Sequence, residues 1–336
     1  MHTVLLVAPL ALICLLGFIS VKVKLFDQTQ TSGISKLCFT LLIPLFLFKS
    51  TYSADLNQNV SLGWFLSFYL PVILVYGLVY IGYQWQLSRQ TTSQVQHSSS
   101  INTRSAVSAL TASYSNTVLI SIPILIKLLN EEVAGLAFVL IAFHSAVLFT
   151  LTEMLATNRT RPTPTNASSN SSTAVSAIKK IKMHSYQFLR GLNNPIVISI
   201  SLGLIANILN FTFPKAMLQA LTMMSQAAVP LALFSLGTSM YFLPLKGSWV
   251  QAVLLSAIKL LALPFIVYLM AQYVFDLNNI QTLIVVLLTA SPTGINAYLI
   301  AAKHQQQQAV SATTVIVSTA ICLVSIVFWV ELISNQ

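Results

Sequence analysis

The sequence predicts an all-α polytopic membrane protein: ten transmembrane helices arranged as two inverted five-helix repeats, with the fourth and ninth helices broken. Three observations carry that expectation. The 336 residues are 56% hydrophobic and only 7% charged, where a soluble domain carries about 25% charged residues. Apolar segments of about 20 residues, the length that crosses a bilayer core, occur ten times. An ordered series of short matches then ties the first half of the chain to the second.

Taken in order, span 1 covers 2–20. Its apolar run precedes Lys22 and Lys24 rather than following a basic cluster, the reverse of a cleaved signal peptide, so it is expected to be retained. Span 2 (33–52) carries I-P-L-F-L-F, and span 3 (62–84) carries Leu70-Pro71. Span 4 (105–129) holds Leu110-Thr111-Ala112-Ser113, then Asn116 and Pro123. Span 5 (132–155) contains His144 and Glu153. Residues 156–190 read as a polar Ser/Thr/Asn/Pro linker, unable to build a core. It ends in a basic stretch with Lys179, Lys180 and Lys182 that suits anionic headgroups. Spans 6 to 10 follow at 191–212, 215–240, 248–272, 279–302 and 307–332. The expected organisation is therefore a first five-helix repeat over 1–155, a cytoplasmic linker over 156–190 and a second repeat over 191–336.

The net charge of +10 does not point to nucleic acid, because of where it lies. Lys22, Lys24, Arg89, Arg104, Arg159, Arg161, Lys179, Lys180, Lys182, Arg190, Lys246 and Lys303 fall on one side of the predicted membrane, against Lys49, Lys127 and Lys215 on the other. The positive-inside rule puts the first set in the cytoplasm and both termini outside. Sequons at Asn158, Asn166 and Asn170 would then face the cytoplasm and are expected to be unused. Cys14, Cys38 and Cys322 all lie in apolar spans without CxxC or His/Cys spacing, so no disulfide framework or zinc site is expected.

The repeat is read from residues. Pro9, Gly17, Pro44, Leu45, Leu47 and Phe48 return 186 positions later as Pro195, Gly203, Pro230, Leu231, Leu233 and Phe234. Leu70-Pro71 matches Leu263-Pro264, and Leu110–Ser113 matches Leu288-Thr289-Ala290-Ser291. Five helices per half is an odd number, so the second half must run upside down relative to the first. Within span 9, Pro292 removes a donor and clashes with the preceding turn, and Gly294 and Asn296 follow. Lipid satisfies no free backbone group, so such breaks persist only where they are buried or line a polar cavity. Broken helices in corresponding places are a pointer to a binding site.

The pattern resembles the auxin efflux carrier family, which includes plant auxin exporters and bacterial carriers of malonate and related organic anions. The resemblance covers nearly the whole chain. It rests on Gly17 with Lys22 and Lys24, Leu42-Ile43-Pro44-Leu45, Ser115-Asn116-Thr117 with Ile122-Pro123, and Asn194-Pro195. In the second half it rests on Ala228-Val229-Pro230-Leu231-Ala232-Leu233 with Leu236-Gly237, Lys259 before Pro264, Ser291-Pro292-Thr293 with Asn296, Ala301-Ala302-Lys303 and Ser318-Thr319. The resemblance implies that helices 4 and 9 cross near mid-membrane and form the substrate site. It also implies a scaffold, usually homodimeric, against which the crossover part moves. The short central linker fits the bacterial branch.

The residues assigned to the substrate are Ser113, Asn116, Thr117 and Pro123 in span 4 (the break lies open between Asn116 and Pro123), Ser291, Pro292, Thr293 and Asn296 in span 9, and Lys259. An amide at a break can accept from a freed N–H and still donate to a carboxylate. Ser291 before Pro292 reads as an N-cap with proline at the first helical position, starting a half-helix whose positive end is a ready anion site. Lys259 sits mid-span, where a charge costs at least about 2.5–3.5 kcal/mol and must face protein or water. It either attracts an anion or bonds carbonyls freed by Pro264. His144 can titrate near neutrality or simply pack. Trp64, Tyr83, Trp85, Tyr241, Trp249 and Trp329 read as interfacial belt residues. No Asp or Glu lies centrally in any span, and span 3 offers Trp64, Tyr69, Tyr76 and Tyr80 where some relatives carry an acid.

The functional expectation is a secondary carrier of small organic anions in a bacterial inner membrane, with lipid and the anion as partners. No cofactor is expected, and the coupling ion, Na⁺ or H⁺, stays open. The alternatives are a sodium-coupled bile-acid-type carrier and a non-transporting membrane sensor. With no Ser/His/Asp set and no HExxH, an enzyme is not expected.

Overall fold

The computed structural model describes residues 2–54, 61–90, 98–129, 131–157, 195–244 and 249–334. The linker beyond Thr157, with its sequons and lysines, lies outside the described residues, as do Lys246 and Asn194. Among the described residues there are twelve helices: α1 (His2–Lys22), α2 (Gln28–Tyr52), α3 (Leu62–Gln90), α4 (Ser98–Ser113), α5 (Thr117–Leu129), α6 (Glu131–Thr157), α7 (Pro195–Ile208), α8 (Lys215–Tyr241), α9 (Trp249–Val274), α10 (Asn279–Ala290), α11 (Ile295–Lys303) and α12 (Gln308–Ser334). Helices α2, α3, α8, α9 and α12 are each long and apolar enough to cross a membrane. The protein is a polytopic membrane protein, and its regular structure is helical among the described residues.

Helix α2 begins five residues before the expected start. Asp27 and Gln30 form a capping box: the Gln30 N–H donates to Asp27 Oδ1 at 2.8 Å and the Asp27 N–H to Gln30 Oε1 at 2.9 Å. Further along the helices, prolines are accommodated by widening the backbone. π-Helical turns at Cys38–Leu42, Thr117–Ser121 and Ile258–Ala262 each end two residues before a proline, namely Pro44, Pro123 and Pro264. A wider turn relieves the clash of the proline ring with the carbonyl four residues back. At Pro264 that carbonyl belongs to Leu260. It accepts from Ser325 Oγ at 2.8 Å and Trp329 Nε1 at 3.2 Å, both on α12.

Helix α1 packs along α8, the second half of α2 along α7, α3 along α4, and α9 and α10 along α12. Gly17 lies against the Phe234 carbonyl with no room for a methyl group. Gly203 is in the same position toward Phe48, where a Cβ would lie 2.5 Å from the carbonyl oxygen. These two contacts exchange partners between the pairs 17/203 and 48/234, whose members are each 186 positions apart. Small residues are what permit helix backbones to approach this closely in a membrane.

Half of the predicted belt residues belong to the interior instead. Trp64 and Trp329 are almost fully buried and Tyr83 is buried, whereas Trp85, Tyr241 and Trp249 are exposed. Trp329 is drawn inward because its indole N–H answers the Leu260 carbonyl, a partner that span position alone could not reveal. The span 3 tyrosines also do structural tasks. Tyr69 OH donates to the Leu140 carbonyl at 2.6 Å, and Tyr76 OH lies 3.0 Å from Thr152 Oγ1.

Candidate functional site

The two broken spans meet. Between α4 and α5, residues Tyr114, Ser115 and Asn116 leave the helix; between α10 and α11, Ser291 to Gly294 do so. The two extended pieces pair as an isolated antiparallel bridge of Ser115 with Thr293. The Asn116 N–H donates to the Pro292 carbonyl at 2.8 Å, and the Gly294 N–H donates to the Tyr114 carbonyl at 3.1 Å. Each break thus satisfies the backbone groups the other has freed, which makes two broken helices tolerable in a setting without water. In the register of the L-T-A-S match, Ser115 and Thr293 are equivalent positions, 178 apart, as are Tyr114 with Pro292 and Asn116 with Gly294.

The expected cap at Ser291 is not present. Ser291 ends α10 in extended conformation, and α11 begins at Ile295 with Gly294 as its N-cap. Two causes combine. A residue before proline is pushed out of the helical region, and Pro292 and Thr293 are committed to the bridge before a helix can start. Ser291 Oγ instead makes a very short contact with Ser121 Oγ, which also donates to the Leu287 carbonyl at 2.6 Å. Nor does Pro123 mark the first break. It lies at the second residue after a π-turn, seven positions beyond Asn116.

A small cleft opens on the bridge, with room for about 40 Å³ of solvent. Its wall includes Tyr114, Ser115, Asn116, Thr117, Ser145, Gly294 and Asn296. Three predicted residues, Asn116, Thr117 and Asn296, therefore come together in one cleft. The N-terminal turns of α5 and α11 flank it, each with N–H groups that no preceding turn can satisfy. Asn296 Nδ2 donates to Tyr114 OH at 3.1 Å, and that hydroxyl lies 2.9 Å from Ser145 Oγ. Asn116 Nδ2 and Ser115 Oγ are buried with no hydrogen-bond partner. Buried polar atoms are rarely left so.

The remaining predicted residues stand behind the cleft. Ser113 Oγ donates back to the Ala109 carbonyl of its own helix, whereas Thr293 Oγ1 donates to the Thr111 carbonyl at 2.9 Å and holds the crossing together. Lys259 is fully buried, and its Nζ donates to the Thr289 carbonyl at 2.5 Å, in the last turn of α10. That carbonyl has lost its helical partner, since the Thr293 N–H goes to Ser318 Oγ at 3.0 Å. Lys259 thus neutralises the negative end of α10, and Leu260, not Lys259, faces the consequence of Pro264. Pro123 lines a second, larger cavity of about 460 Å³ between α1, α2, α5 and α8, together with Lys49, Lys127 and Gln226.

Sequence reasoning missed Tyr114, Ser115 and Ser145. The register of the L-T-A-S match would have found the first two, because it sets them opposite Pro292 and Thr293. Ser145 carries no comparable signal. Its neighbour His144 is buried, accepts from the Ser115 N–H through Nε2 at 3.3 Å, and stacks on Tyr114 at 5.3 Å.

A family model described as membrane transport protein, that of the auxin efflux carriers, matches residues 2–330. A curated relative from Rhizobium meliloti (strain 1021), named "Putative malonate transporter", is 26% identical over 133 residues, 40% of this chain. The chain spans less than half of that relative's length, 42%.

Proposed function

The chain belongs to the auxin efflux carrier family of membrane transport proteins, and from that premise we propose that it is a secondary carrier of small organic anions, carboxylates above all. The observation that carries this reading is the cleft itself, where two half-helix N-termini and the unpartnered Asn116 Nδ2 converge. Positive helix ends plus convergent donors form an anion site. In this reading Asn116, Thr117 and Asn296 contact the carboxylate, Ser291, Pro292 and Thr293 hold the crossing, Ser113 ends the helix that leads to it, and Lys259 adds positive potential from behind. The cavity with Lys49, Lys127 and Pro123 serves as the approach, its cations drawing anions inward.

The carrier works by alternating access, with ten spans in two inverted five-helix repeats over 1–155 and 191–336, joined by a cytoplasmic linker. Two things support the repeat: the exchanged contacts of Gly17 with Phe234 and Gly203 with Phe48, and the bridge between equivalent residues Ser115 and Thr293. Movement is required because the cleft has room for only a few waters. We place the protein in a bacterial inner membrane with both termini outside and a homodimeric scaffold. Malonate, named for the Rhizobium relative, is the first substrate to test.

The experiment is flux into proteoliposomes for a panel of mono- and dicarboxylates, with sodium and proton gradients imposed separately. Uptake of at least one carboxylate is expected, strongly reduced at low substrate concentration by Asn116→Ala or Asn296→Ala. Unchanged transport by both variants would remove the cleft as the site. Saturable binding without flux would make the protein a sensor.

A further inference from the structure

The crossing is built from equivalent residues, but its two sides are not finished alike. On one side the Thr293 N–H is bonded to a hydroxyl, Ser318 Oγ of α12, at 3.0 Å. On the other, the equivalent Ser115 N–H is bonded to an imidazole, His144 Nε2 of α6, at 3.3 Å. A hydroxyl is evidently enough to hold the bridge. The side chains differ in the same way. Thr293 Oγ1 donates to the Thr111 carbonyl. The equivalent acceptor for Ser115 Oγ is the Thr289 carbonyl, which is taken by Lys259 Nζ, and Ser115 Oγ is left without a partner. Both departures from equivalence are titratable groups, and both bear on Ser115, the residue before Asn116.

We infer that His144 binds the proton that travels with the anion, and that Ser115 is the link between proton and substrate; this rests on the carrier reading above. The chemistry follows from the hydrogen bonds. A neutral imidazole that accepts at Nε2 carries its proton on Nδ1, and Nδ1 is buried without a partner. A second proton goes onto Nε2, which then can no longer accept from the Ser115 N–H. The bond holding that side of the crossing is lost, and a positive charge appears beside Ser115 and Ser145 in the cleft wall. The rings packed on His144 are Tyr114, stacked on it, and Phe68, edge-on at 5.4 Å. No Asp or Glu is buried among the residues whose side chains are described. With aromatic rings against it and no carboxylate bonded to it, the imidazolium gains its counter-charge only when an anion occupies the cleft. Proton and carboxylate therefore favour one another's binding by the same factor, and one proton enters with each anion.

The test uses the full-length purified protein and malonate, over a pH range in which malonate keeps its charge. Wild-type affinity is expected to rise as pH falls, approaching about tenfold per pH unit for a single coupled proton, with about one proton taken up from weakly buffered solution per malonate bound. In His144→Gln the amide oxygen can still accept from the Ser115 N–H but cannot titrate. Binding should persist, with the pH slope flattened and the proton uptake gone. Lys259→Met should retain the slope. A slope that survives in His144→Gln, or one lost in Lys259→Met alone, overturns the inference, as does wild-type binding without proton uptake. Binding at a pH-independent affinity overturns the inference and leaves the carrier reading standing. No binding or flux for any carboxylate in the panel overturns both.

Discussion

Replacing Asn116 with alanine separates a substrate contact from a structural one. Asn116 Nδ2 has no partner in the protein, so its removal breaks no internal hydrogen bond at that atom and relieves the fold of an unsatisfied donor. A hydrogen bond from it to a carboxylate is worth about 1.5–3 kcal/mol. Since about 1.4 kcal/mol is tenfold in affinity, Asn116→Ala should weaken binding about 10- to 150-fold with no loss of thermal stability. Thr293→Val, on the facing side of the bridge, makes the opposite case. It keeps shape but removes the bond to the Thr111 carbonyl at 2.9 Å, so stability should fall by about 0.5–1.5 kcal/mol. Any effect on affinity would come only through the loosened crossing. Malonate binding by calorimetry and thermal unfolding in detergent measure the two quantities on the same sample. Wild-type affinity in Asn116→Ala, or an unfolding temperature that falls as it does for Thr293→Val, would refute the assignment of Asn116 to the ligand.

Three further outcomes follow from the same geometry. Gly17→Ala and Gly203→Ala each place a methyl against a backbone carbonyl and should cost about 1–3 kcal/mol in unfolding measurements, whereas Gly33→Ala, with nothing within 4 Å, should cost nothing. Ser325→Ala and Trp329→Phe each leave the Leu260 carbonyl one donor. Their double variant should lose about 1–3 kcal/mol more than the sum of the single changes, a coupling read from a double-mutant cycle. Replacing Lys49 and Lys127 together with glutamine should raise the KM for anion uptake several-fold at low salt, and the difference should shrink at 1 M salt, where the screening length falls to about 3 Å.

Much of the organisation was legible because membrane burial leaves a coarse signal. Leu110–Ser113 and Leu288–Ser291 identified the two breaks, and Asn116 and Asn296 do line one cleft. What was misread has local causes. Ser291-Pro292 has the residue types of a helix start, but the start requires the next residues to be free, and Thr293 is held by Ser115 and Ser318. Asn116 and Pro123, seven residues apart, leave the position of the first break open in the sequence. A π-turn absorbs Pro123, so the helix continues past it. Trp329 was assigned to the membrane surface by its position near the end of a span, yet an unsatisfied carbonyl on another helix draws it inside.

By itself, the sequence determined that this chain lives in a membrane and that the segments around Asn116 and Pro292 are interrupted. Those properties depend on composition and spacing along one segment, and each segment carries them independently. The tertiary structure alone decided which groups answer the interruptions. A freed carbonyl or N–H can be answered by any donor or acceptor that reaches it, so Lys259 meets Thr289, His144 meets Ser115 and Ser318 meets Thr293. These pairings join residues 25 to 30 positions apart, and the bridge joins residues 178 apart. Periodicity within a segment carries no information about such distances. The difference between the two sides of the crossing, hydroxyl on one and imidazole on the other, becomes visible only once the equivalent residues are seen face to face.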